Sequence, residues 1–311
     1  MDGLSVKRIA GSLGAEVNNV NLRNIRTPDQ VAVIKGLLTE HKVLFFPNQS
    51  FTEGEHVALG RLFGDLAGHP NLSNTDSFPE IFQLQASQGG VANEWHTDLT
   101  FQKSPAKMSI LYMRVCPEIG GDTMWTNLEA AYDALSEPMK AMCESLTALH
   151  DADPHGSEGH NIMAVHPVVR VHPITGRKAL YVSEHFTRRI VELTHEESKV
   201  LLDFLCRWVQ RPVFTVRYRW TQNTVAFWDN ATTSHYVLND FDQDRLIQRV
   251  TVQGDLPQPA RPLPQYKPSI YQRLGSFGSD EWERNYCADG RHDRQLAQYL
   301  REHGDYQMPK L

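Results

Sequence analysis

The spacing of apolar residues divides this chain into helical and extended stretches. In TPDQVAVIKGLLTEHK (27–42), Val31, Ile34, Leu37 and Leu38 recur at helical intervals. Thr27 is placed to cap the first turn, and Pro28 suits the first helical position. The run VLFFP (43–47) that follows reads as a buried strand. TEGEHVALGRLFG (52–64) opens with the capping-box pair Thr52 and Glu55, and THEESKVLLDFLCRWVQ (194–210) repeats the device with Thr194 and Glu197. LEAAYDALSEPMKAMCESLTALH (128–150) is predicted helical, interrupted near Pro138. Short runs at 107–116, 166–172, 178–183, 213–219, 224–229 and 246–253, bounded by Gly, Pro, Asn and Asp, are predicted strands. Many short strands with turn signals predict an antiparallel sandwich or barrel, with a few helices packed outside it.

After Gly254–Asp255 the texture changes. LPQPARPLPQYKPS (256–269) reads as an extended linker or wrapping arm, and 280–304 is predicted helical again. The expected organisation is a main domain over 1–255 and a Pro-rich arm with a helical extension over 256–311.

Composition narrows the class of protein. The 311 residues allow one large domain or two small ones, and 41% hydrophobic with 22% charged residues is ordinary for a soluble globular chain. A formal net charge of −6 without any Lys/Arg block argues against nucleic acid as the main partner. The longest apolar runs are too short to span a bilayer, and the first residues lack the apolar stretch of a signal peptide. Cys116, Cys143, Cys206 and Cys287 form no CxxC pair and are expected to stay reduced, so a cytoplasmic location is expected.

Candidate chemistry begins at NEWHTDLTF (93–101). On an extended segment His96 and Asp98 face the same way and Thr97 faces away. Either this is an ordinary strand with a polar face, or it is two thirds of a metal site whose third ligand comes from elsewhere. His235, just beyond a strand and turn in VAFWDNATTSHYVLNDF (225–241), is the best candidate. Two histidines and one carboxylate on one face leave coordination positions open, the pattern of non-haem Fe(II) oxygenases. A second constellation lies in DRLIQRVTVQGD (244–255), where Arg245 and Arg249 share one strand face with Ile247 between them. Leu246, Val250 and Val252 alternate on the other face. An exposed edge strand would carry such charges for solubility; a binding site would use them to grip carboxylate or sulfonate groups.

Seven blocks then carry a resemblance in order: GAEVNNVNL (14–22), HKVLFFPNQ (41–49), WHTDLTF (95–101), GGDTMWTN (120–127), HPVVRVHP (166–173), FWDNATTSHY (227–236) and RLIQRVTVQGD (245–255). From about Val6 to Asp255 the chain resembles the taurine dioxygenase family of Fe(II)/2-oxoglutarate-dependent dioxygenases. That family also includes alkylsulfatases and aryloxyalkanoate dioxygenases. The resemblance implies a mainly β fold with flanking helices around a double-stranded β-helix (jelly-roll, cupin-like) core. It implies Fe(II) on His96, Asp98 and His235, with 2-oxoglutarate and O2 as co-substrates. The far carboxylate of 2-oxoglutarate would meet Arg245 and Thr123. Arg249 would hold the anionic group of the substrate, with His69 and the Leu99 backbone N–H. Trp95, Phe101, Phe186 and Trp228 are core by default, with Phe186 and Trp228 also placed to wall the pocket. His150, His166 and His172 read as structural.

The implied reaction hydroxylates a substrate C–H while 2-oxoglutarate becomes succinate and CO2. Hydroxylation next to a sulfonate or sulfate ester would release sulfite or sulfate and an aldehyde. Where the taurine enzymes of the family hold an amine, this chain places Leu72, Val91 and Ala92, none of which accepts a hydrogen bond through its side chain. The expected substrate is therefore a small anion with an apolar tail. The alternatives are taurine itself, or a carboxylate or amino-acid-like biosynthetic intermediate. Two rival readings are a zinc hydrolase on the same triad and a non-catalytic binding jelly roll. A homo-oligomer, dimer or tetramer, is expected from the family.

Overall fold

A computed structural model describes residues 3–67, 78–86, 92–152 and 162–263. The expectations placed on His69, Leu72, Val91 and the helix over 280–304 lie outside the described residues. The strands are β1 (Ser5–Arg8), β2 (Ala15–Asn18), β3 (Val43–Phe46), β4 (Leu66–Ala67), β5 (Ile81–Gln85), β6 (Met108–Val115), β7 (Thr123–Asn127), β8 (Thr147–Asp151), β9 (Met163–Pro167), β10 (Val169–Val171), β11 (Lys178–Leu180), β12 (Thr187–Ile190), β13 (Thr215–Tyr218), β14 (Val225–Asp229), β15 (Thr233–Val237), β16 (Leu246–Val252) and β17 (Gln258–Pro259). The helices are α1 (Pro28–His41), α2 (Glu53–Arg61), α3 (Leu128–Asp133), α4 (Glu137–Cys143) and α5 (His195–Val209).

The capping boxes form as the sequence predicts. Thr27, Thr52 and Thr194 each accept from the third residue of their helix, whose side chain reaches back to the cap. One predicted helix is corrected. The stretch 128–150 holds two short helices, α3 and α4, and residues 147–151 form β8 between β9 and β12. All five β8 residues are buried, and the ladder on both sides outweighs local helix preference.

A large sheet runs β1-β2-β3-β14-β6-β16-β4, with β5 also on β16; a small one runs β13-β7-β15. Alternation along the central strands gives the large sheet two apolar faces. Leu44, Phe46, Ile110, Phe227 and Val250 pack on the side covered by α1 and α2. Phe45, Leu111, Trp228 and Ile247 face the small sheet, against Trp125, Val216 and Tyr218. Two sheets closed over one core are the sandwich geometry of a jelly roll. A further core collects α3, α5 and strands of the β12-β8-β9 and β11-β10-β17 sheets. At the start of the Pro-rich stretch β17 pairs with β10, and Arg261 approaches Glu144 at 3.5 Å. Among the described residues no helix is long and apolar enough to cross a membrane.

Two enclosed histidines link this packing to pH. His56 donates Nε2–H to Ile110 O at 3.1 Å, and His166 lies 2.8 Å from Thr100 O. Burial holds both pKa values at about 4. Unfolded histidine titrates near ~6.5, so between these values the unfolded chain binds protons that the fold refuses. Stability is therefore full at neutral pH and falls as pH drops through that window. Urea unfolding between about pH 7 and about pH 4 should lose roughly 3 kcal/mol per histidine. A midpoint independent of pH in that range would contradict the buried neutral state.

Candidate active site

The HxD segment joins the small sheet. His96 bridges His235 of β15 by backbone hydrogen bonds of 3.0 and 2.8 Å. The Thr97 hydroxyl donates to Thr233 O at 2.9 Å, on the side away from its neighbours. The chain then turns through Leu99, whose φ of 58° is left-handed. Asn230 grips Asp98 from both sides: Oδ1 accepts the Asp98 N–H and Nδ2 donates to the Asp98 carbonyl, each at 3.0 Å.

These constraints bring three ligand atoms together. Those of His96, Asp98 and His235 lie within 4.8 Å of one another, and each Nε2 is 3.9 Å from Asp98 Oδ1. No other group of three His, Cys, Asp or Glu residues is so arranged among the described residues. His96 Nδ1 lies 2.7 Å from Glu94 O, a contact that needs a proton on Nδ1 and leaves Nε2 as a lone pair. Burial lowers the pKa of both histidines, that of His235 to about 4, so both imidazoles are neutral. Burial opposes ionisation of Asp98, but the adjacent Arg249 charge, with the Ser109 hydroxyl, outweighs it and holds the carboxyl below its ordinary range. Arg249 Nη1 donates to Asp98 Oδ1 at 2.7 Å, and Ser109 Oγ donates to Oδ2 at 2.9 Å. Two neutral imidazoles and an ionised carboxylate fit a divalent metal with open positions.

The two arginines share a face, as their spacing predicts, but β16 is not an edge strand. It lies between β6 on one side and β4 and β5 on the other. Val250 and Val252 pack toward the helices, while Arg245, Ile247 and Arg249 line a cavity between the sheets. Arg245 is 3% exposed. Its Nε donates to Gly121 O at 3.3 Å, and its Nη2 has no partner among the described residues. Burial lowers its pKa to about 10. A guanidinium buried without a counter-charge is expensive unless an anion completes the site. The Gly120–Gly121 turn makes the Arg245 contact possible: both have positive φ, and a Cβ on Gly121 would meet Arg245 Cδ at 3.2 Å.

The cavity holds about 310 Å³, enough for a small ligand. Its wall includes the triad, both arginines, Thr123, Leu99, Ala92, Phe186 and Trp228, all expected from sequence. Trp228 stands 5.0 Å from His235 between ring centroids, and Phe186 packs edge-on to Phe101 at 5.2 Å. Trp95 and Phe101 stay in the packing behind. His150, His166 and His172 are structural: the first two hold Thr100 and its carbonyl, and His172 pairs with Asp229 at 3.0 Å.

Sequence reasoning missed Ser109 and Asn230, which hold Asp98, and Phe82, whose ring lies 5.0 Å from the Arg249 guanidinium. Asn230 sits inside a block already singled out. Ser109 carries no local signal; only its register opposite Trp228 and Thr251 brings it to the site.

Known proteins resemble this chain in sequence and in fold. An alkylsulfatase of Acinetobacter baylyi is 37% identical over 273 residues, covering 81% of this chain and 86% of that protein. An alpha-ketoglutarate-dependent sulfate ester dioxygenase of Pseudomonas putida is 38% identical, covering 82% of this chain and 91% of that protein. The crystal structure of a taurine dioxygenase from Burkholderia xenovorans superposes with a TM-score of 0.75 at 39% identity, covering 82% of this chain and 92% of that one. The family model for the taurine catabolism dioxygenase TauD, TfdA family matches residues 5–251, a span that includes the whole triad and both arginines. With that span matched, and with relatives this similar over four fifths of its length, the chain belongs to the TauD/TfdA dioxygenase family.

Proposed function

We propose that this protein is an Fe(II)- and 2-oxoglutarate-dependent dioxygenase that hydroxylates a C–H bond of a small sulfate ester or sulfonate with an apolar tail. One observation carries the reading: a metal-competent triad and a buried guanidinium with no acidic partner among the described residues open into one cavity. The zinc-hydrolase rival uses the triad but has no need of that guanidinium.

His96, Asp98 and His235 would hold the iron. With 2-oxoglutarate and O2 it supplies the oxidation, giving succinate, CO2 and a hydroxylated substrate carbon. The residues of the chain do the rest. Arg245 and the Thr123 hydroxyl bind the far carboxylate of 2-oxoglutarate and set its orientation. Arg249 braces Asp98 through Nη1, while its Nε has no partner among the described residues and is left to meet the substrate anion. Phe82, Leu84, Phe186, Val237 and Ile247 give the apolar wall for a tail and keep water out. Glu94, a carboxylate in the cavity wall, bonds His185 through Oε2. When the hydroxylated carbon bears a sulfate ester, the C–O bond to sulfate breaks as the new hydroxyl loses its proton, giving aldehyde and sulfate.

Succinate formation tests the reading, with Fe(II), ascorbate and air. The panel holds alkyl sulfates, longer alkyl sulfonates, aryloxyalkanoates, taurine and a blank, with His96→Ala as control. Stimulation by longer alkyl sulfates or sulfonates well above taurine is expected. Highest turnover with taurine would overturn the apolar-tail assignment. No 2-oxoglutarate consumption with any compound would overturn the substrate class.

A further inference from the structure

The Thr123 hydroxyl is held by a group outside the cavity wall. Trp220 Nε1–H donates to Thr123 Oγ1 at 2.9 Å. An indole nitrogen is a donor only, so the Thr123 oxygen must accept here and its own proton must point elsewhere. The backbone of Thr123 is fixed on both sides, opposite Tyr218 of β13 and Val237 of β15. Once the indole has claimed one lone pair, the hydroxyl proton is the remaining freedom of this side chain. Thr123 shares the cavity wall with Arg245, whose Nη2 has no partner among the described residues.

We propose that Trp220 is a positioning residue for 2-oxoglutarate: its indole N–H turns the Thr123 hydroxyl proton toward the carboxylate that Arg245 binds. The inference rests on the dioxygenase reading above. Trp220 is 4% exposed and lies outside the cavity wall, so it acts through Thr123. Aromatic neighbours hold its ring: Phe45 at 6.2 Å, Trp125 at 6.0 Å and Tyr218 at 5.5 Å between centroids. The two tryptophans that do wall the cavity, Trp125 and Trp228, have no partner for their indole nitrogens among the described residues. A donor already aimed at the ligand need not be ordered when the ligand arrives, which improves affinity without a new contact.

The test is the dissociation constant of 2-oxoglutarate on Mn(II)-loaded protein without turnover, by isothermal titration. Trp220→Phe should weaken 2-oxoglutarate binding roughly 5-fold to 10-fold, the scale of one hydrogen bond, and leave the Mn(II) constant unchanged. Thr123→Val should lose a similar amount, and the double variant no more than Thr123→Val alone. Thr123→Ser keeps the hydroxyl and should keep the sensitivity to Trp220→Phe. Benzothienylalanine at 220 replaces the N–H with sulfur at nearly constant shape; it should reproduce the loss even where Trp220→Phe folds poorly. Unchanged affinity in the sulfur analogue, or full additivity in the double variant, overturns the role of Trp220 alone. Failure of the wild-type protein to bind 2-oxoglutarate overturns the dioxygenase reading and this inference with it.

Discussion

Asp98→Ala is expected to abolish turnover and to weaken divalent-metal binding by more than about 100-fold, because outer partners of metal ligands alone are worth ~10–100-fold. Asp98 is the sole carboxylate of the triad, and without it two neutral imidazoles face the cavity. The substitution also strands Arg249, whose Nη1 donates to Asp98 Oδ1 at 2.7 Å in a buried site. Breaking such a pair from one side costs about 3–5 kcal/mol. Asp98→Ala should therefore unfold at lower urea than wild type. Asp98→Ala/Arg249→Met should recover much of that stability while remaining unable to bind metal. Mn(II) titration and urea midpoints read the two effects separately. Tight metal binding by Asp98→Ala would remove Asp98 from the ligand set. Equal stability of the single and double variants would mean that Arg249 finds another partner.

Arg245→Met is expected to separate function from stability in the opposite direction. The wild-type guanidinium is enclosed, its Nε donates to Gly121 O, and its Nη2 has no partner among the described residues. A methionine of similar length replaces an uncompensated charge with an apolar chain, a change that is often stabilising by about 1–4 kcal/mol. The protein without 2-oxoglutarate should thus unfold at higher urea than wild type. Its affinity for 2-oxoglutarate should fall by at least about 30-fold, since removing one member of a buried charge pair costs roughly 2–5 kcal/mol. Added 2-oxoglutarate should raise the midpoint of the wild type and leave that of the variant unmoved. A variant less stable than wild type without 2-oxoglutarate would mean that Arg245 has a structural counter-charge. Unchanged affinity would place the 2-oxoglutarate carboxylate elsewhere.

The two expectations share a physical origin. The cavity keeps charges that a folded core would rather exclude, and ligands are what complete them. Arg249 already has its acid in Asp98, so its cost is partly met within the chain, whereas Arg245 Nη2 has no partner among the described residues.

Much of the site was legible in the sequence. Period-two alternation is strict on a strand, so Arg245, Ile247 and Arg249 had to share a face, and they do. The helix caps were equally local: each Thr reaches a backbone N–H three residues away, and those contacts form in α1, α2 and α5. Locality also explains the error at 147–151. Thr147–Asp151 follows a helical stretch, yet its conformation is set by β9 and β12, strands separated from it in sequence.

By itself the sequence determined which groups could do chemistry and which neighbours on one strand look the same way, because side-chain type and backbone period are properties of short stretches. Tertiary structure alone decided what those groups meet. The bridge between His96 and His235 closes a separation of well over a hundred residues and places three ligand atoms within 4.8 Å. Sheet register brings Ser109 to Asp98, and the segment directly after β13 brings Trp220 to Thr123. Whether β16 shows its arginines to water or to a cavity depended on the small β13-β7-β15 sheet lying over that face. Such contacts are fixed by how whole sheets pack and exclude water, and no stretch of the chain carries that information alone.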